Sequence, residues 1–124
     1  MFTGNEGTFI TLAEGAQMTK AYRDNFLNSG RTRKAVFFGK NKLLQLLNQS
    51  DDCVGARFYF AAKESESGIY ELDLVVVGAR ANETDIITAE AKILDDSSPC
   101  PTQCDTASPL FGTASAETPT VNQG

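Results

Sequence analysis

The sequence predicts an α+β fold: two helices packed on one face of a small, mainly antiparallel sheet, in the order α-β-α-β-β-β, with an irregular C-terminal tail. Three observations carry this reading. Two segments place apolar residues at helical spacing, around Leu12–Phe26 and Leu43–Leu47. An alternating pair, Val54–Ala62 and Ile69–Val77, flanks a polar turn that ends in Gly68. All four prolines, Pro99, Pro101, Pro109 and Pro119, lie beyond Asp95. The chain has 124 residues, enough for one domain with a modest core. The domain is expected to span 1–94, and 95–124 reads as a Pro/Ser/Thr-rich tail.

The first helix has a defined start. Thr11 followed by Glu14 has capping-box spacing, in which the hydroxyl accepts from a first-turn amide while the carboxylate reaches back. Leu12, Ala16, Tyr22 and Phe26 then form a core-facing stripe, and Asn28-Ser29-Gly30 supplies a stop, giving a helix over about 12–27. Ala35–Phe38 is β-branched and aromatic and reads as a strand ending at Gly39. Leu43, Leu44, Leu46 and Leu47 mark a short helix over about 41–49, with Asn41 as its cap.

Val54, Ala56, Phe58, Phe60 and Ala62 point to one side of the next strand, and Gly55, Arg57, Tyr59 and Ala61 to the other. After the turn at 63–68, Leu74–Val77 is apolar throughout, as expected for a strand end covered on both faces. The two strands form a hairpin. Ile87, Ala89, Ala91 and Ile93 alternate with polar residues and predict an edge strand, although Ala-Glu-Ala-Lys is also good helix composition.

Charge is divided unevenly. Residues 1–50 carry seven basic and three acidic groups, residues 51–124 carry four basic and thirteen acidic, and no acid lies between Asp24 and Asp51. Such a chain can attract copies of itself or offer a basic face to an anion. There is no histidine, which removes Ser–His and Cys–His nucleophile systems and the commonest metal ligand. Glu71 and Asp73 share one strand face and read as a polar sheet surface, so no catalytic role is expected. No cofactor is expected.

Three functional readings follow. The leading one is a non-catalytic structural or interaction protein that self-associates into a ring or filament. The basic segment Arg31, Arg33, Lys34, Lys40 and Lys42 would meet Glu64, Glu66, Glu71 and Asp73 of another copy, helped by a sheet edge and the apolar island Leu110-Phe111 in the tail. The second is a regulatory domain that binds an anionic ligand at Lys40, Arg57 and Tyr59. Gly39-Lys40 precedes a helix, but Asn41 stands where a phosphate-binding loop has Ser or Thr. The competing role for Arg57 is a cross-strand pair with Glu71 or Asp73.

The third reading is a thiol or metal protein using Cys53, Cys100 and Cys104. Three thiols without histidine make a deficient zinc set, so no metal is expected; Cys100 and Cys104 read as a disulfide or thiol pair. The net charge of −5 disfavours nucleic acid as a partner. The first residues lack the pattern of a secretory signal, and the longest apolar run is far too short for a membrane span. The chain is therefore expected to be cytoplasmic, with itself as partner.

Overall fold

In the computed structural model, residues 1–28 and 30–112 are described. Ser29 of the expected helix stop, and 113–124 of the expected tail with Pro119, lie outside them. Among the described residues the fold is α+β. The elements run α1 (Leu12–Phe26), β1 (Ala35–Phe37), α2 (Lys40–Leu47), β2 (Cys53–Glu64), β3 (Tyr70–Arg80), β4 (Ile93–Leu94) and β5 (Ser98–Cys100). They build two antiparallel sheets: β2-β3-β4, and a separate ribbon of β1 with β5.

Helix α1 starts as its sequence predicts. The Glu14 amide donates to the Thr11 hydroxyl at 3.1 Å, and the Thr11 amide donates to the Glu14 carboxylate at 2.9 Å. The helix ends at Phe26, where the Leu27 amide still donates to the Arg23 carbonyl. Helix α2 begins one residue earlier than expected. Gly39 is its N-cap and makes no side-chain capping bond, so Asn41 lies within the first turn.

The hairpin is the longest paired element of the fold. β2 and β3 stay in register from Gly55 opposite Ala79 to Glu64 opposite Tyr70, with an irregularity between Cys53 and Gly55. Its turn closes through Ser65, whose amide donates to the Ile69 carbonyl at 2.8 Å and whose own carbonyl accepts from Gly68. Gly68 has φ +83°, the left-handed region that suits glycine.

Two expectations change. The edge strand expected over 87–93 is reduced to Ile93–Leu94, which pair with Val77 and Val76. Residues 81–91 are instead turn and irregular backbone, with one bridge between Asp85 and Ala79. The run Asn82-Glu83-Thr84-Asp85 makes a tight return: Thr84 donates to Asn82, and Arg80 donates to Thr84. Local turn chemistry wins over alternation there.

The helices also do not share one sheet face. α2 packs on the three-stranded sheet. Gly78 leaves room for Gln49 after α2 and for Cys53 and Ile86, since a Cβ there would meet Gln49 Nε2 at 2.8 Å, Cys53 Sγ at 3.0 Å and Ile86 Cδ1 at 3.3 Å. α1 lies against the C-terminal segment: Arg23 donates to the Leu110 carbonyl at 3.1 Å, and a Cβ on Gly15 would come within 3.2 Å of Leu110.

The expected division at residue 94 falls between β4 and β5. Beyond it, Phe37 pairs with Ser98, Val36 with Pro99 and Ala35 with Cys100. Proline fits this two-stranded ribbon because an edge position needs no donated ladder bond.

Two substitutions probe this packing. Thr11→Ala removes the cap of α1 and is expected to lower stability by about 1 kcal/mol. Gly78→Val overfills the space between Gln49, Cys53 and Ile86 and is expected to cost about 1–3 kcal/mol. Denaturant unfolding followed by circular dichroism measures both.

Candidate functional site

The hairpin has two faces, because residues directly opposite across the strands point the same way. Phe58, Phe60 and Ala62 share one face with Val76, Leu74 and Leu72. Arg57, Tyr59, Ala61 and Lys63 share the other with Val77, Val75, Asp73 and Glu71. Alternation would put the phenylalanines inside and the carboxylates outside. Toward the hairpin turn the structure does the reverse. Phe60 is 84% exposed, whereas Glu71 and Asp73 are 7% and 3% exposed.

Glu71 is buried by the loop that precedes β1. Its carboxylate accepts the Thr32 amide at 3.0 Å, the Thr32 hydroxyl at 3.1 Å and the Arg33 amide at 3.1 Å. The flanking arginines bind the β3 backbone: Arg31 donates to the Tyr70 carbonyl and Arg33 to the Leu72 carbonyl, both at 3.1 Å. Burial pushes the Glu71 carboxyl up, but the two amides, the hydroxyl and the Arg33 charge outweigh it and hold the group below its ordinary value.

Asp73 is held next to this staple. It accepts from the Ser97 hydroxyl at 2.8 Å and lies 3.5 Å from the Lys63 ammonium, which also reaches Asp95 at 3.2 Å. Both carboxylates expected on a polar sheet surface are therefore interior. Arg31, Arg33, Glu71 and Asp73, expected between copies, meet partners within one chain.

Lys34 and the tail are engaged in the same way. The Lys34 ammonium donates to the Phe111 and Gly112 carbonyls and sits 3.9 Å from the centre of the Phe111 ring. The Leu110-Phe111 island thus docks on its own chain. Of the expected association residues, Arg31, Lys40, Lys42, Glu64, Glu66 and Leu110 are exposed.

The expected anion site is occupied from within. Arg57 and Tyr59 both bind the Asp85 carboxylate, which raises the Tyr59 hydroxyl above its ordinary value. Arg57 sits opposite Val77, so it does not pair with Glu71 or Asp73. Lys40 lies in the first turn of α2. Sequence reasoning missed Asp85. The available signal was the polar run 82–85, whose turn returns the chain to β3.

Cys100 and Cys104 form a disulfide. Cys53 is half-buried, with its thiol donating to the Gly55 carbonyl at 3.3 Å. Among the described residues no cluster of three or more Cys, Asp or Glu side chains is placed to hold a metal ion, and no helix is long and apolar enough to cross a membrane. No family model, curated protein or solved structure matches the chain.

The Glu71 staple makes a pH-dependent contribution. Its folded-state titration lies below the unfolded value, so the stabilisation is complete above about pH 4.3. It is lost as pH falls through the lower folded value. Glu71→Gln is expected to cost about 1.5–3 kcal/mol at neutral pH and to flatten the acid limb of stability. Urea unfolding at pH 7 and across pH 2–5 checks this.

Proposed function

We infer that this chain is a non-catalytic structural or interaction module that self-associates. The exposed phenylalanine face of the hairpin carries the reading. Phe58, Phe60 and Leu72 are all large, apolar and open to solvent on one face, although the same chain buries two carboxylates on the other. Adjacent exposed apolar groups of this kind mark an association surface.

The sheet architecture supports a partner that is itself a sheet. Among the described residues β2 stands at the end of the order β2-β3-β4, with one side unpaired. It runs twelve residues, longer than ordinary edge strands, and has Lys63 and Arg57 as its only charges before Glu64. Charge complementarity plays the smaller part in this account, because most of the basic segment already binds its own β3 and tail.

The test is solution mass by sedimentation equilibrium at low and high salt. Assembly through an apolar face is expected to persist at high salt, where exposed charge contacts are screened. Phe60→Lys is expected to weaken association at least tenfold, since desolvating one phenylalanine is worth about 1.5–3 kcal/mol. Circular dichroism should stay unchanged. A single-chain mass at every concentration and salt would overturn the reading.

A further inference from the structure

We propose that the open edge of β2 pairs antiparallel with the same edge of a second copy, about a two-fold axis at Tyr59. The two three-stranded sheets then join into one sheet of six. This rests on the self-association reading and specifies its contact.

The backbone determines which groups are available. The Gly78 carbonyl accepts from the Ile86 amide at 2.8 Å, and the Arg80 amide donates to the Thr84 carbonyl at 2.9 Å. Even-numbered residues of β3 therefore turn their backbone groups away from β2. The odd-numbered ones face β2 and bond to Arg57, Tyr59, Ala61 and Lys63, their register partners. That leaves the N–H and C=O groups of Ala56, Phe58, Phe60 and Ala62 pointing to the open side. Before Ala56 the edge is approached by the N-terminal arm, as a Cβ on Gly4 would lie 3.2 Å from the Val54 carbonyl. The open segment thus begins at 56.

Side chains select the register. In a continuous sheet, opposed residues must share a face, so the two-fold falls on a residue position. A dyad at Phe60 would set Arg57 against Lys63 of the second copy, a like-charge pair. A dyad at Ala61 would set Phe58 against Glu64. At Tyr59 the pairs become Phe58 with Phe60, Arg57 with Ala61 and Ala56 with Ala62. This places two aromatic pairs at the centre, with no like charges opposed. The pairing uses 56–62, which avoids the covered start of the strand.

The area suits a second copy of the chain. On the paired edge itself Phe58 and Tyr59 are each 46% exposed and Phe60 is 84% exposed. Together these three residues offer roughly 350 Å² per copy, taking about 200 Å² for a whole aromatic side chain. A standard interface takes about 800 Å² per partner, and the strand backbone and Ala62 supply part of the difference.

The experiment uses the full chain in a Cys53→Ser background, with single cysteines at Tyr59 or Ala61. At the dyad, opposed non-hydrogen-bonded residues have Cα atoms about 4.5 Å apart, within disulfide reach. Tyr59→Cys is therefore expected to give a covalent dimer on mild oxidation. Ala61→Cys is not, because its two copies would lie about 13 Å apart along the strands. Ala62→Pro removes an outward N–H that has no partner strand among the described residues. It should retain the circular dichroism spectrum yet reduce the mass to one chain.

An associating wild type with cross-linking at Ala61 instead of Tyr59, or at neither in folded variants, overturns this contact and leaves self-association standing. So does an Ala62→Pro protein that still associates. A wild type that stays a single chain at millimolar concentration removes both.

Discussion

One carboxylate organises the interior of this protein. Glu71 points from β3 toward the loop before β1 and accepts both amides of Thr32-Arg33, together with the Thr32 hydroxyl. Two consecutive backbone donors aimed at one anion make a small nest, and the anion is supplied by the chain's own strand. Arg31 and Arg33 then reach the β3 carbonyls on either side. The loop is thereby laid along β3 at the turn end of the hairpin. β1 follows at once, pairs with β5, and so brings the disulfide and the Leu110-Phe111 segment to the same side.

The consequence is a hairpin turned inside out at its far end. A buried carboxylate is tolerated because its bonds are complete, and it occupies the face that alternation would leave to solvent. α2 covers the other face only at the end near Gly78, where Val76 is wholly buried. Past that point, with the described residues in place, Phe58 is 46% and Phe60 84% exposed. The internal staple and the proposed association surface are thus two sides of one strand pair.

Much of the fold was legible in the sequence. Thr11 and Glu14 marked the start of α1, and the spacing of Leu43–Leu47 marked α2. The Gly68 turn and the alternation around it marked the hairpin, and the apolar run through Val77 marked its doubly covered end. These signals are local, with partners within a few residues. What failed required long-range knowledge. Period-two alternation says which residues share a face but not which face is covered, and that depended on a loop almost forty residues away. The Ile87–Ile93 alternation gave way to the turn at 82–85. The prolines of 99–109 suggested a tail, although two-stranded pairing accommodates Pro99.

The candidate site was legible in its residues and not in its contacts. The basic segment and the acidic strand face can be read from the sequence, but the sequence does not say whether they meet within one chain or between two. Hydrogen exchange reads the outcome most directly. The amides of Phe58, Phe60 and Ala62 face the open edge and have no partner strand among the described residues, whereas those of Tyr59 and Ala61 bond to β3. Edge pairing predicts that the first set gains protection as protein concentration rises, while the second set is protected throughout. Fast exchange of Phe58, Phe60 and Ala62 at every concentration, in a protein that nonetheless associates, would contradict it.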